Sequence, residues 1–333
     1  MSALLEITDL TVGYETAAGE RVVLVDSVSL RLAEGEVLCL VGESGSGKSV
    51  TMLAVLGLLP APLEIFSGSV RFRGAELVGA DDETLRKLRG AELGMVFQDP
   101  MTTLNPVRRV GVQIGRALAV HQRLDARART QRVVELLAAV GIPQPAERAR
   151  AYPHQWSGGM RQRAVIAMAM ANDPAVLIAD EPTTALDVTI QAQLMEVLAQ
   201  ARARSGAAMV LITHDLGLVA QYADRVAIMY AGRVVETATV WQIFDDATHP
   251  YTRGLQRSLL GQSGGARAYA IPGSPPSPTR RPPGCGFAPR CEFAGKNDEC
   301  STTTPVLVPL AGGRAVACPP AIESAPIEQD LSA

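Results

Sequence analysis

Gly42-Glu43-Ser44-Gly45-Ser46-Gly47-Lys48-Ser49 decides how this chain is read. The run fits G-x-x-x-x-G-K-[ST] in full. It follows Val37–Val41, an apolar run with the composition of a buried strand, and opens the helix-like stretch Lys48–Leu58. Glycines let the backbone curl until successive N–H groups point inward at phosphate oxygens, and a helix start adds partial positive charge there. In that setting Lys48 is expected to reach the β- and γ-phosphates of a nucleotide and Ser49 to ligate Mg²⁺. Val50, next along, completes the run expected to wrap the phosphates.

Outward from this loop, β-rich runs occur at Leu4–Thr11, Val22–Leu30, Gly68–Phe72 and Leu93–Phe97. From Pro106 to Tyr152 the composition turns to Arg, Ala, Leu and Gln with helical spacing, which predicts a helical insertion. Its Arg127, Arg129, Arg132, Arg148 and Arg150 alternate with acids such as Asp125, Glu135 and Glu147, the pattern of a solvated face. A helix is expected from Ser157 to about Asn172, then a fully apolar strand at Val176–Ala179. Helix Ile190–Arg204, strand Ala208–Ile212, helix Leu216–Tyr222 and strands Arg225–Tyr230 and Arg233–Glu236 follow. This alternation predicts an α/β core with a mainly parallel sheet. Beyond His249-Pro250 the chain reads as loop, with Ile271–Pro289 rich in Pro and Gly.

Two further sites stand out. Asp180 and Glu181 end a buried strand, where paired carboxylates are costly unless a cation or water uses them. Asp180 is expected to hold Mg²⁺ through its water shell, and Glu181 to polarise the attacking water. Ser157-Gly158-Gly159, after Trp156, opens a helix whose exposed N–H groups would make a second anion site.

In this order, the phosphate loop, Gln98, WSGGMRQR (156–163), IADEPTTALD (178–187) and His214 resemble ATP-binding cassette (ABC) ATPases. FQDPMTTLNP (97–106), ADEPTTALDVTIQAQ (179–193), ITHDLG (212–217), MYAGR (229–233), HPYTRGL (249–255) and IPGSPPSP…GCGFAPRC (271–291) are similar, more narrowly, to the ATPase subunits of dipeptide/oligopeptide permeases. The likeness runs from about Leu4 to Pro319. It implies a P-loop NTPase core with an antiparallel β subdomain, a helical subdomain and a small Cys/Pro-rich C-terminal domain. The corresponding partition is 1–104 with 157–245 as core, 105–156 helical, 246–320 C-terminal, and 321–333 a tail. It implies that Tyr14 stacks on adenine, that Gln98 helps ligate Mg²⁺ and senses the γ-phosphate, and that Asp187 shapes a dimer contact. His214 would bond the γ-phosphate and orient Glu181. Trp156 replaces the usual small apolar residue before Ser157 and Met160 the usual Gln; neither change removes the Ser-Gly-Gly donors.

The implied function is an ATPase, with ATP and Mg²⁺, that powers import of di- or oligopeptides by head-to-tail dimer closure. The implied partners are a second, homologous ABC ATPase in a heterodimer, two transmembrane permease subunits and an extracytoplasmic solute-binding protein. A soluble ABC ATPase acting on DNA or ribosomes is the alternative, and a regulatory subunit without activity is a third reading. Such DNA or ribosome ATPases carry tandem cassettes or basic linkers; here 31 Lys and Arg against 34 Asp and Glu give a formal charge of −3 and no field for nucleic acid.

The cysteines divide. Cys39, inside an apolar run, reads as a small buried hydrophobe. Cys285, Cys291, Cys300 and Cys318, spaced C-x₅-C-x₈-C-x₁₇-C with no His between them, suggest a metal centre more than disulfides in a reducing compartment. The spacing is looser than the C-x₂-C of structural zinc. Four thiolates suit [4Fe–4S] or Zn²⁺, with free thiols or oxidation-prone pairs also open. The permease resemblance implies an iron–sulfur cluster here, with zinc as the alternative, and no redox role follows. An apolar content of 47% excludes disorder for most of the chain. Apolar stretches such as Val165–Ala171 are too short to span a bilayer, and Glu6 and Asp9 interrupt any signal-like start. The chain is therefore expected to stay in the cytosol, and the permease resemblance implies a peripheral place on the cytoplasmic face of the inner membrane.

Overall fold

The computed structural model describes residues 3–99, 103–184, 187–260 and 269–323. The expected tail lies outside the described residues from 324 onward, as do positions 100–102 and 185–186 of the motif runs.

Strand β3 (Val37–Val41) shows how the sequence builds the centre. Val37, Cys39 and Val41 face one core, and Leu38 and Leu40 face the other, as the two-residue period of a strand requires. Every residue of β3 is buried, so the sheet is covered on both faces. Cys39 is fully buried and its thiol is pushed up to about 12, first by burial and then by Asp224, which keeps it an inert hydrophobe.

With β1 (Leu5–Glu15), β2 (Arg21–Leu32), β4 (Glu64–Phe72), β5 (Ala75–Glu76), β6 (Leu93–Val96), β7 (Val176–Asp180), β8 (Ala208–Thr213), β9 (Arg225–Tyr230), β10 (Arg233–Thr239), β11 (Val308–Pro309) and β12 (Ala315–Val316), the chain forms two sheets. The larger has the order β11-β12-β10-β9-β3-β8-β7-β6. Its stretch from β9 to β6 is parallel and its other edge antiparallel. The smaller, β2-β1-β4-β5, is antiparallel throughout. The fold is thus the expected P-loop α/β core with an antiparallel β unit beside it.

Helix α1 (Lys48–Val55) stops short of the predicted Leu58, where Gly57 takes φ +60°. After α2 (Asp82–Leu88), the insertion folds as α3 (Val110–His121) and α4 (Ala126–Ala139), the latter capped by Asp125, whose carboxylate accepts from Ala128 N–H at 2.8 Å. Arg132 pairs with Asp173 at 3.0 Å on its solvated face. Helices α5 (Gly158–Ala169), α6 (Val188–Ser205) and α7 (Leu216–Tyr222) start on Ser157, Asp187 and Asp215, each of which caps its helix with a side-chain oxygen.

The region beyond residue 249 departs from its sequence reading. It opens with a helix instead of a loop, and α8 (Val240–Asp245) and α9 (Pro250–Leu260) lie side by side in sequence. The start of α9 is held from far away. Buried Glu236 accepts the N–H groups of Thr248 at 2.8 Å and His249 at 3.0 Å. Its local cap is unusual, His249 Nδ1 accepting the Tyr251 N–H at 3.1 Å in place of a Ser, Thr, Asp or Asn oxygen, and Gly254 inside the helix weakens its helical signature. Strands β11 and β12 then join the edge of the main sheet through β10. Among the described residues, no helix is long and apolar enough to cross a membrane.

Candidate active site

The parallel order β3-β8-β7-β6 brings the ends of four strands to one rim, where ligands gather in open α/β sheets. Each strand delivers one part of the site. After β3, the loop 42–49 curls over the start of α1. A side chain at Gly42 would put its Cβ 2.2 Å from the carbonyl oxygen of Met229, so only glycine fits. Gly45 and Gly47 take φ +78° and +100°, the left-handed region. Ser44 and Gly45 are exposed at the crest, while Ser46 and Lys48 are buried beneath it. Val50 packs, half-buried, on the core below.

Lys48 lies across the loop. Its Nζ donates to Gly42 O at 2.9 Å, Glu43 O at 3.0 Å and Ser46 Oγ at 3.3 Å. Burial lowers its pKa, while Glu181, Asp180 and Glu43 pull it back up. After β7 come the two carboxylates. Asp180 is buried, and Ser49 Oγ donates to its Oδ1 at 2.9 Å. Desolvation pushes the Asp180 carboxyl up, Glu181 adds to this, and Ser49 and Lys48 oppose it.

Glu181 holds a φ of +43°, a strained position for a residue with a Cβ, and its N–H donates to Ile212 O at 3.0 Å. Its Oε2 is a meeting point. Gln98 Nε2, following β6, donates to it at 3.3 Å, Thr184 Oγ1 at 2.8 Å, and His214 Nδ1, following β8, lies 3.4 Å away. The strand order thus brings together Lys48, Ser49, Gln98, Asp180, Glu181 and His214, residues far apart in sequence. Thr184 went unnoticed in the sequence; its place three residues after Glu181, at a strand end, is the signal that marks it.

Five expected residues stand apart from this cluster in the single chain. Tyr14 is half-buried on β1, paired with Val22. Ser157 and Gly158 are exposed, Ser157 Oγ accepts from Met160 N–H at 3.3 Å, and a Cβ at Gly158 would meet nothing within 4 Å. Gly159 would touch only Ile190, at 3.3 Å. Asp187 caps α6, accepting from Ile190 N–H at 2.9 Å. One buried link connects the start of α5 to the carboxylate strand: Gln162 Nε2 donates to Pro182 O at 2.8 Å.

A hydroxyl and a carboxylate 2.9 Å apart, Ser49 and Asp180, form a hard oxygen set that fits Mg²⁺. The four terminal cysteines do not repeat this. Among the described residues, no group of three or more His, Cys, Asp or Glu side chains is disposed to hold a metal ion. Cys285, Cys291, Cys300 and Cys318 are free and partly buried. Burial raises the Cys285 and Cys291 thiols and pushes Cys318 up to about 12, and the neighbouring thiols add to each shift. Cys300 Sγ donates instead to Asn297 Oδ1 at 3.3 Å. The expected [4Fe–4S] cluster, its zinc alternative and a metal-binding role for these cysteines are therefore corrected: the segment packs as a thiol-bearing scaffold.

The family model "ABC transporter" matches residues 25–184, and "Oligopeptide/dipeptide transporter, C-terminal region" matches residues 235–300. The oligopeptide transport ATP-binding protein OppD of Bacillus subtilis is 50% identical over 301 residues, covering 90% of this chain and 84% of that protein. This chain belongs to the ABC transporter family, in its oligopeptide/dipeptide group. OppD of Mycobacterium tuberculosis is 52% identical over 96% of this cassette, which spans 52% of that protein; the cassette is thus about half the length of the first curated relatives it matches. Among solved structures, a dimeric cassette in a post-hydrolysis state bound to ADP and Pi superposes on 71% of this ABC chain and 98% of its own, with a TM-score of 0.63 and 28% identity. The CbiO1 cassette of Clostridium perfringens, part of an ABC transporter complex, covers 79% and 99% with a TM-score of 0.63 and 26% identity.

Proposed function

We propose that this chain binds and hydrolyses ATP at the loop 42–49 and uses that cycle to power a membrane importer of di- or oligopeptides. The observation that carries the reading is the convergence on Glu181 Oε2 of Gln98, Thr184 and His214, beside Lys48, Ser49 and Asp180. An acid held by three polar partners next to a phosphate-binding loop suits a base that orients a water.

In this reading Lys48 and the loop amides neutralise the triphosphate. Mg²⁺, held by Ser49, Asp180 and Gln98, supplies charge compensation on the phosphate oxygens when bound. Glu181 takes the proton of the attacking water, His214 bonds the γ-phosphate and steadies Glu181, and Tyr14 stacks on the base. Ser157 and Gly158 face solvent in one chain, with Gly159 half-buried beside them; their capped helix start is suited to the γ-phosphate of a nucleotide on a second cassette, with Asp187 at the same contact. A related cassette forms a dimer with ADP and Pi, which supports such pairing.

We further assign the boundaries 1–104 with 157–245, 105–156 and 246–320 to core, helical and C-terminal units. A heterodimer with a homologous ATPase, two permease subunits and a solute-binding protein complete the assembly, at the cytoplasmic face of the inner membrane. The names of the peptide-transport relatives support the cargo class, and the charge of −3 argues against nucleic acid. The test is reconstitution of the membrane complex in vesicles. ATP hydrolysis and peptide uptake are both expected, and K48A should abolish both. Hydrolysis that survives K48A would refute the site, and hydrolysis without peptide uptake would refute the cargo.

A further inference from the structure

Glu43 is a misfit in an anion-binding loop. Its carboxylate belongs to the second residue of the phosphate loop, among donors shaped for negative charge. Unopposed, it would repel the triphosphate that the rest of the loop attracts. The chain answers it from 247 residues away. Arg290 Nη1 donates to both Glu43 Oε1 and Oε2 at 3.0 Å. The arginine side chain is only 7% exposed and the glutamate 26%, so the pair is screened weakly by water.

Arg290 is itself rigidly built. Its Nε donates to Pro272 O at 2.7 Å and its Nη1 to Tyr230 Oη at 3.1 Å. Tyr230, Tyr251 and Phe287 pack against one another with ring centroids 4.6 to 5.4 Å apart. From that cluster fully buried Tyr251 reaches the same loop residue, its Oη accepting the Glu43 N–H at 3.0 Å. A second tie lies alongside: Arg281 Nη2 donates to Leu24 O at 2.9 Å, and Gly232 N–H donates to Ser46 O at 3.0 Å. Backbone and carboxylate of Glu43 are thus both held by residues C-terminal to the cassette strands.

We propose that Arg290 is a positioning residue that neutralises Glu43, so that the C-terminal segment sets the affinity of the phosphate loop for nucleotide. The proposal rests on the reading of loop 42–49 as an ATP site. It also gives the residue before Cys291 a task that the cysteines themselves do not perform. Arg290 touches no nucleotide in this scheme; it acts through Glu43.

The test is MgATP affinity of the full-length chain, measured by calorimetry for wild type, K48A, R290M, R290K, E43Q and E43Q/R290M. R290M is expected to weaken binding about tenfold or more, which is about 1.4 kcal/mol. R290K, which keeps the charge, should stay within about threefold of wild type, and E43Q, which removes the repulsion, sets the reference affinity for the double variant. The deciding variant is E43Q/R290M: without the carboxylate the arginine is no longer needed, and affinity should return to that of E43Q. A purely structural brace gives no such recovery, and a double variant as weak as R290M overturns the proposal. So does R290M with wild-type affinity. Should R290M fail to fold, R290Q and E43Q/R290Q make the same comparison. A wild-type chain whose ATP binding is absent, or survives K48A, overturns the nucleotide reading and this inference with it; wild-type binding that K48A removes leaves the pairing to be judged alone.

Discussion

Residues 42–49 and residues 285–318 are the two stretches of this chain most crowded with potential ligands, and they fold to different ends. In the first, eight consecutive residues carry their geometry in the backbone, through glycines at φ +78° and +100° and the helix start at Lys48. The remaining groups arrive on neighbouring parallel strands whose ends align by register. In the second, four thiols are separated by gaps of 5, 8 and 17 residues, with short turns and prolines between them. Nothing local forces them into a metal-holding arrangement, none is found among the described residues, and burial raises three of the thiols. Ligand residues close in sequence make a site only where the backbone is committed to pointing them together.

The sharpest probe of this contrast is Glu181. E181Q keeps the shape and the contacts of the site but removes the base. Turnover is expected to fall by roughly 10²- to 10⁴-fold with ATP binding retained, read by phosphate release beside nucleotide affinity. Normal turnover would dissolve the convergence on which the comparison stands.

The C-terminal region should answer in stability instead. E236A strips the acceptor from Thr248 and His249 N–H groups in a buried setting and is expected to cost about 2 kcal/mol in denaturant unfolding. His249 gives a pH signature. It is fully buried, its Nδ1 accepts from Tyr251 N–H at 3.1 Å, and burial lowers its pKa to about 3. The unfolded chain takes up a proton near the ordinary histidine value of 6.5 while the folded chain refuses it until about 3. Its contribution therefore makes stability fall as pH drops from about 6.5 towards 3, with a slope of at most about 1.4 kcal/mol per pH unit. H249N should remove that slope relative to wild type between pH 7 and 5; an unchanged slope would show the ring to be solvated. The smallest effects are expected at the cysteines. Serine at Cys285, Cys291, Cys300 or Cys318 should cost about 1 kcal/mol or less and leave ATP hydrolysis within twofold. Stoichiometric iron with acid-labile sulfide in anaerobically prepared protein would break the comparison outright.

Strands such as Val37–Val41 and Arg225–Tyr230 and helix Leu216–Tyr222 were legible to the residue, because their apolar runs are bounded by local turn and cap residues. The core of the site was legible for the same reason: Asp180, Glu181 and His214 each sit at a strand end that the pattern marks, and Lys48 opens the helix after the glycine loop. Helix α9 was not, since its local cap is a histidine and the N–H groups just before it are held by Glu236 on another element. Nor were strands β11 and β12, two residues each, which exist only because β10 offers an edge. Thr184 escaped because an alcohol in a turn carries no periodic signal.

By itself the sequence determined the phosphate loop, the alternation of strand and helix, and the acids at the strand ends, because these depend on interactions within a few residues. Only the tertiary structure decided what distant groups do to one another. It set Gln98 and His214 on one carboxylate, gave the four cysteines no metal-holding arrangement among the described residues, and carried Arg290 to Glu43. Such pairings depend on strand order and on how buried charge is compensated, and neither is written in the spacing of residues along the chain.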